Sequence, residues 1–220
     1  WVTGKAFGAP FLAQNHTDKD LNHDGTVYPP GALTMHVGTQ GEPAVLRFVA
    51  PSDGEYRLTA HFKGISGPPA SGPITTGAAC LIAAGKKIFS DRINCDGRPN
   101  ETHYEGRINL RKGECVDTLA ESGNATFNSD TILVGLVVTD PAGVTHDATK
   151  DLSFEISRKT PWTYGYMPAG TTDPAKFIAF SGVFDGIRRS IGSLSNPGST
   201  AWEDVLADKH PYQPCPHTSD

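Results

Sequence analysis

The stretch DGTVYPPGALTMHVGTQGEPAVLRFVAPSDGEYRLTAHFKG, from Asp24 to Gly64, decides the fold class. Its second half contains two strand-like runs, 45–50 and 56–63, joined by a Pro-Ser-Asp-Gly corner, and in the second run apolar residues alternate strictly with polar ones. Alternation with a period of two, interrupted by turn residues, predicts antiparallel strands that bury one face and expose the other. The stretch therefore indicates a β-sheet protein.

The same pattern recurs along the chain. Turn signals such as Gly85, Asp96-Gly97, Lys112-Gly113 and Asp140-Pro141 separate short apolar runs. Strands at a spacing of roughly 8–12 residues are typical of β-sandwiches. We expect an all-β fold, a two-sheet antiparallel β-sandwich of jelly-roll type, with strands near residues 32–37, 44–50, 55–63, 78–84, 87–93, 103–110, 114–119, 131–139 and 151–157.

The character of the sequence changes after Arg158. We predict a β-sandwich domain over 1–158 and a loop-rich C-terminal extension over 159–220, which packs on the sandwich or reaches out from it. Thr200 and Glu203 form a capping-box pattern, so the extension is expected to contain one short helix that ends at His210.

Composition excludes several classes of protein. Among 220 residues the net charge is −5 and the two signs are interspersed, so there is no footprint of a nucleic-acid-binding protein. The longest apolar run, Ile132 to Val138, is too short to span a bilayer. The chain opens at Trp1 without a targeting segment, which suggests a mature terminus after removal of a signal peptide, although a cloned fragment has the same appearance.

Four cysteines, Cys80, Cys95, Cys115 and Cys215, are spaced without a CxxC pair, which argues against a zinc site. An even number in a loop-rich chain favours disulfides and an oxidising compartment, hence secretion. Three pairings are open. We favour Cys80–Cys95 across a hairpin and Cys115–Cys215 to fasten the tail, against the alternative of four free thiols.

A loop with regularly spaced oxygen ligands is the best chemical signal. Asp18, Asp20, Asn22 and Asp24 recur at alternate positions before Gly25, as in the first half of a calcium loop. The second half is missing, so a calcium site here must be completed from elsewhere, by Asp130 or by backbone carbonyls. The alternative is a solvated polar loop with Asx-turns.

Trp162, Tyr164 and Tyr166 stand at i, i+2 and i+4, so an extended backbone places all three rings on one face. An exposed face of this kind is a platform on which sugar rings stack. A buried face is ordinary core packing, which is the more frequent fate of such a stripe.

Enzyme signatures are absent from the sequence: there is no HExxH, no GxSxG elbow and no phosphate loop. Eight histidines are scattered without metal-ligand spacing. We therefore expect a protein that is not an enzyme. A hydrolase becomes the better interpretation only if a cleft with two facing carboxylates is present.

About half of the chain resembles a known class of module. DGTVYPPGALTMHVG (24–38), AVLRFVAPSDGEYRLTAHFKG (44–64) and FNSDTILVGLVV (127–138) are similar to β-sandwich modules of secreted proteins from environmental, planctomycete-like bacteria. DLSFEISRKTPWTYGY (151–166) resembles another recurrent piece of those proteins, which usually precedes the PPGAL region. The resemblance implies a jelly-roll, carbohydrate-binding-like fold and carries no binding residues with it.

Two functions follow as hypotheses. The first is a secreted, calcium-stabilised module that binds an extracellular polysaccharide through the aromatic stripe. The second is a structural subunit of a surface layer, appendage or filament, a homo-oligomer or polymer that assembles through sheet edges or its tail.

Overall fold

The computed structural model describes residues 10–15, 17–23, 26–65, 77–94, 99–123, 130–151, 160–180, 182–183 and 210–211. Almost all of the regular structure is β-strand. The strands are β1 (Phe11–Gln14), β2 (Leu21–His23), β3 (Thr26–Tyr28), β4 (Leu33–His36), β5 (Ala44–Val49), β6 (Gly54–Gly64), β7 (Gly77–Ala83), β8 (Lys86–Arg92), β9 (Glu101–Leu110), β10 (Cys115–Ser122), β11 (Ile132–Thr139), β12 (Thr145–Asp147), β13 (Trp162–Tyr166), β14 (Ile178–Ala179), β15 (Gly182–Val183) and β16 (His210–Pro211). The helices described are α1 (Ala148–Asp151) and a 3₁₀ turn (Pro174–Lys176).

Two antiparallel sheets form a sandwich. Sheet I has the order β1-β4-β11-β6-β9, with β12 also paired to β11, and sheet II has the order β14-β13-β5-β10-β7-β8. The pairs β2–β3 and β15–β16 are separate two-stranded units. Consecutive strands from β4 to β7 alternate between the two sheets, as do β9 to β11, which gives the jelly-roll character expected from the sequence.

The core lies between the two sheets. Each long strand contributes every second side chain, as the alternating burial of β6 and β11 illustrates. Phe48 of sheet II sits near the centre, where its ring contacts Tyr56 at 5.9 Å and Trp162 at 5.1 Å between ring centroids. Aromatic rings tilted in this way bury large apolar area without stacking face to face.

The Pro-Ser-Asp-Gly corner joins β5 to β6 as the sequence predicts. The hydroxyl of the fully buried Tyr56 donates a 2.7 Å hydrogen bond to the carbonyl oxygen of Ser52 and so fixes the corner. Gly54 has a φ of +142°, and a Cβ atom there would lie 2.5 Å from the ring of Pro141. Glycine is therefore required at this position both by backbone conformation and by close approach.

The predicted all-β sandwich is confirmed, and eight of the nine predicted strands coincide with β4 to β11. The ninth, near 151–157, differs at its start, because Asp151 ends α1; the remainder lies outside the described residues. The helix predicted after Thr200 lies outside them as well.

Strand pairing continues past residue 158, the predicted end of the β-sandwich domain. β13 follows that boundary, yet all five of its residues pair with β5, and β14 pairs with β13 in turn. A strand that completes the hydrogen-bonding ladder of sheet II belongs to the sandwich itself. β13 and β14, the first described strands of the predicted extension, therefore pack on the sandwich through backbone pairing.

Candidate ligand-binding surface

The aromatic stripe of β13 lies on the inner face of sheet II. Trp162 and Tyr164 are only 4% and 5% exposed, and Tyr166 is half-buried. The ring of Tyr166 stacks on Phe180 at 6.2 Å, while Trp162 packs edge-on against Phe48. The three rings share one face, as predicted. Trp162 and Tyr164 are buried in the core and have no face free for a ligand, so the prediction that they form a sugar-binding platform is wrong. Core packing, the alternative, is confirmed.

The outer face of sheet II is covered by the segment 167–177, which follows β13. Met167 is fully buried and Phe177 is half-buried against the sheet. Together they close a second apolar cluster on the side of sheet II away from the main core, formed by Val45, Cys80, Ile82 and Leu119. Sheet II is therefore buried on both faces around β5, β7 and β10, which explains the continuous burial of those strands.

A buried ion pair lies under this covering segment. The guanidinium of Arg47 donates two hydrogen bonds to the carboxylate of Asp117, at 2.6 and 2.8 Å. A third hydrogen bond, of 2.9 Å, reaches the carbonyl oxygen of Pro174 in the 3₁₀ turn, and the ring of Phe177 lies 4.0 Å from the guanidinium carbon. Burial raises the pKa of Asp117, and the pairing with Arg47 opposes that shift.

This ion pair has a structural role and is not a ligand site. Arg47 and Asp117 are 5% and 0% exposed, and their hydrogen-bonding groups are directed at each other and at the covering segment. A bidentate arginine–carboxylate pair of this kind fixes geometry as well as charge. It ties the 3₁₀ turn to β5 and β10.

Sheet I presents the contrasting outer face. All the outward-pointing residues of β6 and β9 are exposed, and they form a surface that we call the polar face: Glu55, Arg57, Thr59, His61, Lys63, Glu101, His103, Glu105, Arg107 and Asn109. The outward residues of the neighbouring β11 are half-buried. Nothing from the described part of the chain covers these exposed side chains in the way that 167–177 covers sheet II.

The register brings the polar-face residues into cross-strand pairs. Lys63 lies opposite Glu101, and their charged atoms are 3.9 Å apart. Arg107 reaches diagonally to Glu55 with a 2.8 Å hydrogen bond, although its direct partner is Arg57. These exposed pairs contribute little to stability, on the order of 0–1 kcal/mol each. Their groups remain available to a ligand.

The predicted calcium loop is described over residues 17–23. Asp18 and Asp20 are exposed in the approach to β2, and Asn22 lies within it, opposite Val27 of β3. Residues 17–19 form a bend, and within the described part of the loop residues 21–23 are extended. Asp24 lies outside the described residues.

Asn15 fixes, through side-chain hydrogen bonds, the backbone conformation of the segment that leads into β2. Its side-chain oxygen accepts a 2.9 Å hydrogen bond from the backbone N–H of Thr17, and its amide nitrogen donates to the carbonyl oxygens of Lys19 and Tyr28, both at 2.8 Å. The fully buried asparagine thus holds an Asx-turn, as the alternative interpretation of this loop supposes. Asp130, proposed as an additional ligand, is fully buried. Calcium binding itself stays a prediction.

The two described cysteines carry free thiols. Cys80 lies opposite Ser90 in the β7–β8 ladder, so the register does not bring it to Cys95, which follows the end of β8. Burial raises the pKa of the Cys80 thiol to about 12. Cys115 is half-buried, and burial raises its pKa also. Neither predicted disulfide is formed at these two positions; Cys95 and Cys215 lie outside the described residues.

A histidine–carboxylate contact lies at one end of the sandwich. His146 Nε2 is 3.4 Å from Asp140 Oδ2, and the His146 ring packs on Phe48. Asp140 also accepts hydrogen bonds from the backbone N–H groups of Ala142 and Val144, at 2.9 and 2.8 Å. These bonds are those of a turn that connects β11 to β12, so the contact is structural.

Two kinds of feature are absent from the described ranges. Within them, no group of three or more His, Cys, Asp or Glu side chains is arranged to hold a metal ion. In the same part of the chain, no helix combines the length and hydrophobicity needed to cross a membrane.

Sequence reasoning identified the polar side of β6 but assigned no role to it. The signal that was available is the matching run in β9, where Glu101, His103, Glu105 and Arg107 also alternate with less polar residues. What the sequence could not provide is the pairing of β9 with β6, which lie far apart along the chain.

Comparisons with known proteins add little. No family model matches the chain, and no curated protein matches it. Solved structures with some similarity include two of a β-glucosidase from Kluyveromyces marxianus. The complex with glucose has 13% identity and a TM-score of 0.24 over 48% of this chain, and the Se-Met labelled crystal has 10% identity and a TM-score of 0.27 over 61%. The chain spans 11% and 19% of those chains, and similarity at this level carries no argument about function.

Proposed function

We propose that this protein is a non-catalytic, extracellular β-sandwich module that binds a polysaccharide through its polar face. One observation carries the proposal: the outer face of sheet II is covered by 167–177, whereas β6 and β9 of sheet I expose every outward side chain. The resemblance of residues 24–64 to modules of secreted proteins supports the extracellular location.

The chemistry of the polar face suits an uncharged, hydroxyl-rich ligand. Its three carboxylates, at Glu55, Glu101 and Glu105, are balanced by three cations, at Arg57, Lys63 and Arg107. A balanced surface has no net attraction for a polyanion or a polycation. It supplies both acceptors and donors, which sugar hydroxyls need because each hydroxyl donates and accepts.

The dimensions of the polar face suit an extended chain. From Glu55 to Lys63 the strand runs for about 27 Å at the usual rise of an antiparallel strand. Because the polar face presents no Trp, Tyr or Phe ring for stacking, binding depends on hydrogen bonds that compete with water, each worth roughly 0.5–1.5 kcal/mol net. We expect weak binding to single sugars and stronger binding to long chains that contact several rows of side chains.

Binding to immobilised neutral polysaccharides, measured by affinity electrophoresis or a glycan array, tests the proposal. Glu105→Ala and Lys63→Ala should weaken retention, because each removes a group from the polar face. Lys176→Ala is the matched control, since Lys176 is exposed on the covering segment of sheet II. Equal retention of all three variants, or no retention of the unmodified protein by any glycan, contradicts the proposal.

Self-assembly through β9 is a second candidate, and a specific pattern favours it. β9 lies at the edge of sheet I, so one side of its backbone is unpaired with any described strand. If a second copy of β9 pairs antiparallel about Tyr104, Glu101 faces Arg107 and His103 faces Glu105. Opposite charges directly across an antiparallel pair are stabilising.

Sedimentation of the purified protein over a range of concentrations tests this second candidate. Arg107→Glu should dissociate any dimer, because it places like charges opposite each other. The exchange Glu101→Arg with Arg107→Glu should restore the dimer, since it restores opposite charges in the same register. A protein that stays monomeric at all concentrations excludes assembly through this edge.

A further inference from the structure

Two histidines face each other on the polar face. His61 of β6 and His103 of β9 are directly paired in the antiparallel ladder, and both are exposed on the outer side of sheet I. Directly opposed residues of such a ladder have Cβ atoms about 4.5–5.5 Å apart. Their imidazole rings can therefore turn toward a common point above the sheet.

This spacing matches the needs of a metal ion. Zinc–nitrogen bonds are about 2.0–2.1 Å long, so two imidazoles that share one ion have their nitrogen atoms about 3 Å apart. Exposed rings reach that separation by rotation of their side chains alone, because the backbone already holds the two positions in register. The pairing of β6 with β9 therefore holds the two histidines opposite each other.

We propose that His61 and His103 chelate one divalent transition-metal ion of the Zn²⁺, Ni²⁺ and Cu²⁺ class, with the Glu101 carboxylate as a third ligand. Glu101 Oε2 is 3.6 Å from His61 Nε2. Glu101 also precedes His103 by two residues on β9 and so lies on the same face. Imidazole donors favour these ions, whereas Ca²⁺ and Mg²⁺ prefer sites built from oxygen.

Binding requires a small rearrangement. The side chains of His61 and Glu101 are 47% and 59% exposed, and in the arrangement without an ion the described residues contain no converged set of three ligands. Rotation of exposed side chains costs only rotamer freedom. Gly135 of β11, which lies on the other side of His61, has no side chain to obstruct the approach of an ion.

Lys63 disfavours metal binding at this site, which gives a second, independent test. Its ammonium nitrogen is 3.9 Å from the same Glu101 oxygen and therefore competes with a cation for that ligand. Removal of the positive charge should strengthen metal binding, which is an outcome that general misfolding does not produce.

Calorimetric titration of the full chain with NiCl₂ and with ZnCl₂ tests the inference. We expect one ion in the tightest site, and His61→Asn or His103→Asn should each weaken it by at least about tenfold, or 1.4 kcal/mol. The double variant should lose little more than either single variant, because both rings hold the same ion. Lys63→Met should bind more tightly than the unmodified protein, and CaCl₂ should not compete for the site.

Two matched controls complete the experiment. Thr59→Ala changes the neighbouring row of the polar face, and His217→Ala removes a histidine remote from it in sequence; both should leave the affinity unchanged. An unmodified protein that binds neither ion overturns the inference, as do single histidine variants that bind normally, or losses that add fully in the double variant. The metal is titrated without glycan, so failure of the proposed polysaccharide binding leaves this result unaffected.

Discussion

At the scale of single residues, Arg47 and Asp117 are the most consequential pair in the described part of the chain. They are separated by 70 positions in sequence, yet they form two hydrogen bonds beneath the covering segment. Burial of one ion without its partner is costly, since the remaining charge has lost its hydration and gained nothing in return. The integrity of sheet II therefore depends on both residues together.

Arg47→Met should lower the free energy of unfolding by about 3–5 kcal/mol, because it leaves the Asp117 carboxylate buried without its cation. Denaturation in urea, followed by tryptophan fluorescence, measures the change.

Arg107→Met is the control, since the Arg107–Glu55 pair is exposed and should be worth less than about 1 kcal/mol. The double variant Arg47→Met, Asp117→Leu should recover part of the loss, because the stranded charge is then removed as well. If Arg47→Met is as well tolerated as the control, the buried pair is not important for stability.

Asp140 gives the fold a defined dependence on pH. Burial acts to raise its pKa, but hydrogen bonds from Val144, His146 and Ala142 outweigh that effect and hold the pKa below its ordinary value. A carboxyl group whose pKa is lowered by folding stabilises the protein above its unfolded pKa, about 3.9. That stabilisation is lost as the pH falls through the lower, folded value.

Asp140→Ala should therefore destabilise the protein at pH 7 by about 1 kcal/mol, as expected for the loss of turn hydrogen bonds. The difference from the unmodified protein should shrink as the pH is lowered below about 4. Melting temperatures between pH 2.5 and 7, with Glu105→Ala as an exposed carboxylate control, measure this dependence. A difference that stays constant over the whole range is incompatible with the assigned role of Asp140.

At the scale of elements, the turn between β7 and β8 contains a local strain that the rest of the sandwich tolerates. Ala84 and Gly85 form a two-residue hairpin loop, and their φ angles are +46° and +76°. Both central residues of a type I′ turn need positive φ, which suits Asn-Gly well and alanine poorly. The strain arises because a Cβ atom in the left-handed region crowds the backbone.

Ala84→Asn should raise the free energy of unfolding by roughly 0.5–1 kcal/mol, since asparagine accepts this conformation more readily. Gly85→Ala should have the opposite effect. Nothing lies within 4 Å of a Cβ atom built at Gly85, so its cost comes from backbone conformation alone. Thermal denaturation of both variants measures these changes in stability. A Gly85→Ala substitution that stabilises the protein would show that the turn has another geometry.

The strands also show how much of the fold can be predicted from the sequence. β4 to β11 were predicted to within a few residues because the periodicity of apolar residues is local, as are the turn residues between the strands. Which face a strand buries is not a local property. Trp162, Tyr164 and Tyr166 share one face by geometry, but whether that face meets water depends on the opposite sheet.

At the scale of the whole molecule, β13 joins the C-terminal part of the chain to the sandwich. It completes sheet II beside β5 and contributes Trp162 and Tyr164 to the core. Removal of these two large side chains alone would cost several kcal/mol, since truncation of a buried aromatic residue to alanine costs about 3–5 kcal/mol.

A fragment that ends at residue 159 should therefore fail to unfold cooperatively, because it lacks the strand that completes sheet II beside β5. Near-ultraviolet circular dichroism during heating measures this. The matched control ends at Val183 and retains β13 and β14, and it should keep a cooperative transition. A cooperative transition in the shorter fragment at the temperature of the full chain would show that residues 1–158 fold without β13.

The sequence by itself determined the positions of most strands, their antiparallel character and the two-sheet architecture. These follow from residue periodicity and turn chemistry, which act over a few residues. The tertiary structure alone decided that the aromatic stripe faces inward, that 167–177 covers sheet II and that His61 lies opposite His103. Each of these depends on which distant strands pair and which layer covers which face, and those choices are made by contacts between residues 40 to more than 100 positions apart.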